Sequence, residues 1–130
     1  MTAVPGWLES AVRDFGAGMG LGNLSLGSGG TAALRFGNGT LLRLEYAAGS
    51  LVVSMSVDSP CGADEAKLLL AASDPLRRGA FALRTGIAGD PPRPVFAVLL
   101  ELEEVSPGKL ESAMAELWRA AENHRRRLGA

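Results

Sequence analysis

The fold is decided by Leu41-Leu42-Arg43-Leu44-Glu45-Tyr46-Ala47-Ala48-Gly49-Ser50-Leu51-Val52-Val53-Ser54-Met55-Ser56-Val57. Leu42, Leu44 and Tyr46 fall on one face and Arg43 and Glu45 on the other. After Ala48-Gly49-Ser50, Leu51, Val53, Met55 and Val57 alternate with Val52, Ser54, Ser56 and Asp58. A period of two is the mark of strands with one buried face. Upstream, Leu34 and Phe36 alternate with Ala33 and Arg35 and run into Gly37-Asn38-Gly39. Asn-Gly accepts the positive φ of tight hairpin turns. Three consecutive strands joined by short turns make an antiparallel meander.

Outward toward the N-terminus, the period changes from two to that of a helix. Val4, Trp7, Leu8, Ala11, Val12 and Phe15 recur at i, i+3, i+4, i+7, i+8 and i+11, with Glu9, Ser10, Arg13 and Asp14 on the other face. Thr2 is the expected N-cap, Pro5 belongs in the first turn, and Gly16 is the expected stop.

Outward toward the C-terminus, Ser59-Pro60 ends the meander, and a short helix is expected from about Ala63 to Ser73. Its Leu68, Leu69, Leu70, Ala71 and Ala72 surround most of the helix, which fits either a dimer contact or plain core burial. Phe81, Leu83, Thr85 and Ile87 mark a fourth strand. Gly89 to Pro94 reads as a loop, because prolines cannot complete a ladder. A fifth strand runs from Val95 to about Glu103, with Phe96, Val98, Leu100 and Leu102 on one face and Val95, Ala97 and Leu99 making the other apolar too. Ser106-Pro107 opens a last helix carrying Leu110, Ala113, Met114, Leu117, Trp118 and Ala121 at helical spacing. The expected fold is α+β, a single domain over residues 1–130, in the order helix, three strands, helix, two strands, helix.

Composition narrows the function. With 13 basic and 14 acidic residues the net charge is −1, too weak a field to gather nucleic acid. The cluster Arg125-Arg126-Arg127 reads as a solvated helix end whose charge suits the dipole. The single cysteine, Cys61, cannot form an intramolecular disulfide. No export-signal pattern is visible, and the longest apolar run, Val95 to Leu100, is far short of a membrane span, so a cytoplasmic location without membrane insertion is expected.

Candidate chemistry lacks partners. Gly16-Ala17-Gly18-Met19-Gly20-Leu21-Gly22 never gives G-x-G-x-x-G and leaves a helix instead of entering one, so it reads as a helix stop. The one histidine, His124, is read as lying on a polar helix end, with no second ligand type placed beside it for a metal. Cys61 has no base near it in sequence, and Glu101, Glu103 and Glu104 read as a solvated strand end. No catalytic residue, metal or cofactor is expected. The apolar excess on the first helix and the fifth strand points instead to a partner surface beside the core.

The element order and local patterns resemble class I type III secretion chaperones of the Tir-chaperone family. In that family a first amphipathic helix leads to a leucine-glycine-leucine connection, and Phe15-Gly16-Ala17-Gly18-Met19-Gly20-Leu21-Gly22-Asn23-Leu24 stands in that place. Leu34 to Gly39 matches its first strand and turn, and Leu41 to Val57 its following strand pair. Lys67-Leu68-Leu69-Leu70-Ala71-Ala72 fills the place of its leucine-rich short helix. The asparagine often found soon after that leucine pair is absent; Ser73 stands here. The Pro-rich segment Gly89 to Pro94 is a second departure.

The resemblance implies a homodimer, without ATP use or catalysis, that holds the N-terminal region of a secreted effector in extended form. Carried over by position, Leu68, Leu69, Ala72 and Phe81 would serve the dimer. Val4, Trp7, Leu8 and Phe15, with some of Leu34, Phe36, Phe96 and Val98, would form effector-binding patches. The reading left open beside it is a small α+β regulatory or assembly protein that binds a folded partner.

Overall fold

The computed structural model describes residues 4–21, 24–37, 39–47, 49–57, 83–88 and 93–129. Cys61, the expected middle helix, and with them Leu68, Leu69, Ala72 and Phe81, lie outside the described residues.

The alternating segments form the expected strands: β1 (Thr31–Arg35), β2 (Leu41–Ala47), β3 (Ser50–Ser56), β4 (Leu83–Ala88) and β5 (Arg93–Glu101). They make one antiparallel five-stranded sheet in the order β1-β2-β3-β5-β4. The register aligns the apolar rows across it. Ala32, Leu44, Val53 and Val98 lie side by side, as do Leu34, Leu42, Met55 and Phe96. Within these rows only Leu34, on the edge strand, is not fully buried. The β1–β2 hairpin closes through Phe36 N–H donating to Thr40 O at 2.8 Å and Gly39 N–H to Phe36 O at 3.0 Å, with Gly39 at φ 86° as the turn demands.

Among the described residues two helices cover this apolar face: α1 (Gly6–Gly18) and α2 (Pro107–Gly129). Leu8, Val12 and Phe15 of α1, and Leu110, Ala113, Met114, Leu117 and Ala121 of α2, join the sheet residues in one buried cluster. Burial on this scale supplies the main favourable term, at about 25 cal/mol per Å² of apolar surface removed from water.

Several local expectations change. Pro5, not Thr2, is the N-cap of α1: its carbonyl accepts from Leu8 and Glu9 N–H at 3.1 Å each. Thr2 lies outside the described residues. Gly16 does not stop the helix; it is buried within it. The stop is Gly20, at φ 69°, where Leu21 N–H donates to Gly16 O at 2.8 Å and Gly20 N–H to Ala17 O at 3.2 Å. That pair of bonds is a Schellman cap, which needs a left-handed residue one past the helix end.

Pro94 is no loop residue: it lies within β5, opposite Ile87. Its carbonyl accepts from Val57 N–H at 3.0 Å, just beyond the end of β3, so its missing N–H removes at most a terminal ladder bond. β5 ends at Glu101, and Leu102–Glu104 form a 3-10 turn, so Glu101 and Glu103 do not share a strand face. The expectation that β5 is covered on both sides also fails: Leu99 is 50% exposed, and Val95 and Ala97 are half-buried. α2 starts as expected. Ser106 Oγ accepts from Lys109 N–H at 3.1 Å, the third helical position, behind Pro107 at the first.

Candidate functional site

Helical spacing marks a stripe on α1 but not its depth. Leu8 and Phe15 are fully buried, Val4 is half-buried, and Trp7 projects with 49% of its surface exposed. The orientation of α1 is held by Glu9, whose Oε1 accepts from Ser25 Oγ at 2.8 Å and Leu26 N–H at 2.9 Å. Those bonds pin the segment after the helix, so that Leu24 and Leu26 reach the core. α1 is thus fixed at two described points, the Gly20 cap at its C-terminal end and the Glu9 carboxylate against Ser25 and Leu26.

The expected patch residues separate into two groups. Leu8, Phe15, Phe96 and Val98 are core side chains, each no more than 3% exposed, so they cannot themselves present a surface. Packing of both helices on one sheet face buries them. Trp7, Val4, Leu34 and Phe36 keep accessible surface. Ile87 (44%) and Leu99 (50%) are further exposed apolar residues. The outer sides of β1 and β4 pair with no strand among the described residues. β1, of five residues, and β4, of six, are therefore the edge strands of the described sheet, and an edge strand is where an added strand pairs.

The C-terminal half of α2 departs most from its sequence reading. His124 is not on a polar end: it is 5% exposed, its ring 6.1 Å from that of Phe96 at 62°. Arg125 is not a solvated charge. Its guanidinium pairs with Glu122, donates to the buried Thr40 hydroxyl in the β1–β2 turn, and lies 5.7 Å over the Trp118 ring. Trp118 meets Phe36 edge-on, with centroids 5.3 Å apart at 75°. The hairpin turn and α2 are thus joined by a stack of Phe36, Trp118 and Arg125, a combination of aromatic and cation–π contacts.

Beside that stack is a groove of about 590 Å³. Met19, Phe36, Met114 and Trp118 supply its apolar lining, and Glu111, Arg119, Glu122 and Arg126 its charges. Sequence reasoning placed Met114 and Trp118 on the apolar stripe of α2 but missed Met19 and Arg119 as groove residues beside them, and Thr40 as the partner of Arg125. A readable signal existed: Trp118 and Arg125 are seven residues apart, two turns along one helix face.

Among the described residues no group of three or more His, Cys, Asp or Glu is placed to hold a metal. No helix among them is long and apolar enough to cross a membrane. The described residues offer exposed apolar side chains, two edge strands and a groove, which are means of holding another chain.

Among curated proteins, no sequence matches this one. Solved structures do. A chain of the ExsC–ExsE complex aligns with a TM-score of 0.80 at 20% identity, covering 96% of this chain and 96% of that one. The chaperone–effector complex HopA1–SchA gives 0.72 at 21% identity, over 90% and 91%. The Yersinia pestis type III secretion chaperone SycH, solved with a stable fragment of YscM2, gives 0.70 at 17% identity, over 89% and 98%. At these identities the structures establish the fold. The sequence itself matches the family model of the Tir chaperone protein (CesT) family over residues 10–125, and the chain belongs to that family.

Proposed function

We propose that this chain is a dimeric secretion chaperone that binds the N-terminal region of a type III effector in extended form and keeps it soluble and competent for export. The observation that carries this is the family match over residues 10–125, nearly the whole chain. The similar solved structures include a chaperone bound to a fragment of another protein and a chaperone–effector complex. The physical basis is independent of the family. An extended client adds a strand to an open edge, gaining backbone hydrogen bonds without a demand for one sequence, and exposed apolar residues then select anchoring side chains. Trp7, Val4, Leu34 and Phe36 are the accessible members of the expected patches.

In this reading the protein works in the cytoplasm by binding alone, without catalysis or a cofactor. Leu68, Leu69, Ala72 and Phe81 form the seam of a homodimer, a role that rests on the family resemblance. Two protomers then bind one client at a raised effective concentration.

Co-expression with the N-terminal segment of an effector encoded nearby tests the reading. The expected product is a stable complex of two copies of this chain with one client, measured by light scattering on a sizing column. Leu69→Asp should yield monomers. A wild-type chain that stays monomeric and retains no effector segment would overturn the proposal.

A further inference from the structure

The groove beside Trp118 carries a charge order as well as an apolar lining. Its α2 residues recur every three or four positions and so form one stripe: Glu111, Met114 and Ala115, Trp118 and Arg119, Glu122 and Asn123, then Arg126. Glu122 is occupied by Arg125. Among the described residues, that pair is the only ion pair involving the groove, which leaves Glu111 near one end and Arg119 and Arg126 toward the other. Phe36, Met114, Met19 and Trp118 provide the apolar lining of the same groove.

We propose that this groove is a docking slot for an extended segment of the client polypeptide, with a basic residue at the Glu111 end, a bulky apolar side chain against Trp118, and acidic residues at the Arg119–Arg126 end. The nature of the occupant rests on the chaperone reading; the groove and its polarity do not. Glu111 and Arg126 are 15 positions apart on one helix, about 22 Å at 1.5 Å per residue. A compact ligand does not span that separation, whereas about seven residues of extended chain do. The lining suits a chain of variable sequence. Met19 and Met114 are flexible and polarisable and adapt to different anchors. Trp118 is held by Phe36 on one side and Arg125 on another, so little side-chain freedom remains to be lost on binding. Tryptophan and arginine are the residues most enriched where binding energy concentrates.

The chain has two tryptophans, so the full-length Trp7→Phe protein reports on Trp118 alone. The probe is a capped peptide of about seven residues, a length set by the extended rise, with lysine first, leucine in the middle and two glutamates last. We expect a saturable change in Trp118 emission. Replacing the leucine by serine should weaken binding about tenfold or more, the scale of one buried apolar anchor. Arg119→Glu with Arg126→Glu should weaken it by a similar factor and should favour a peptide of inverted charge, with the melting temperature lowered by no more than about 7 °C, the scale of two exposed charge reversals near a helix C-terminus. A nitroxide on the acidic end should broaden the Arg126 amide resonance more than that of Glu111.

No Trp118 response to any peptide at millimolar concentration, or indifference to the double charge reversal, overturns the slot; the opposite broadening pattern overturns its polarity. Client capture by the wild-type chain is measured in parallel. Capture with a silent Trp118 sinks the slot and leaves the chaperone reading standing. Peptide binding without any client sinks the chaperone reading and keeps the slot.

Discussion

Leu8→Ala and Trp7→Ala change neighbouring residues of one helix and should fail in opposite ways. Leu8 is fully buried among sheet and helix residues, so its truncation removes transfer energy and leaves a cavity. Such changes cost about 2–5 kcal/mol, and about 3 is reasonable where both helices confine the site. Unfolding entropy is about 2.1 cal/mol/K per residue, so for 130 residues this lowers the melting temperature by about 11 °C. Trp7 is 49% exposed and buries about half its side chain. About 80–100 Å² of apolar contact is then at stake, or about 2 kcal/mol. Alanine returns about 0.5 kcal/mol through its better helix propensity, so the expected loss is about 1.5 kcal/mol, or about 5 °C.

Client binding should rank the two variants the other way. Trp7→Ala should weaken capture of an effector segment by about 2 kcal/mol, or about thirtyfold, the scale of an aromatic anchor. Leu8→Ala, measured well below its own melting temperature, should bind nearly as wild type does. Calorimetric melting and titration of the same preparations decide the matter. A Leu8→Ala protein that melts within about 3 °C of wild type would refute the assignment of Leu8 to the core. Unchanged binding by Trp7→Ala would remove Trp7 from the proposed surface.

Two further outcomes follow from the local geometry. Glu9→Ala removes the acceptor for Ser25 and Leu26 and should cost about 1–2 kcal/mol, while Glu9→Gln keeps an oxygen there and should recover at least half, both read by denaturant midpoint at constant slope. Ser106→Ala removes the α2 N-cap and should cost about 1 kcal/mol by the same measurement, whereas Ser106→Asp should be neutral or stabilising because its carboxylate can accept the same N–H.

The strands were legible because their signal is local. Alternation along Leu41 to Val57 places side chains on two faces whatever lies beyond, and Asn38-Gly39 marks a turn on the same short scale. Strand order is less local. A fifth strand inserted between β3 and β4 depends on pairing between residues far apart in the chain, as in Val53 beside Val98, 45 positions away. Alternation and short turns gave the α+β class and the antiparallel meander of β1 to β3; they did not say where the fourth and fifth strands pair.

What the sequence by itself determined is therefore which residues are apolar on which face: the stripe of α1, the stripe of α2, and the inner rows of β2, β3 and β5. Which of those residues become core and which remain surface was decided by the tertiary structure. Leu8 and Trp7 belong to the same stripe, yet docking α1 against α2 and the sheet buries the first and leaves the second half in water. Arg125 illustrates the same rule for charge. In sequence it is one of three arginines at a helix end; in the fold the β1–β2 turn approaches it, and Thr40, Glu122 and Trp118 take up its guanidinium. His124, beside it, moves from an apparent polar end into the core against Phe96. Periodicity fixes direction around a helix axis, but depth is a property of what packs against it, and that information is spread over partners far away in the chain.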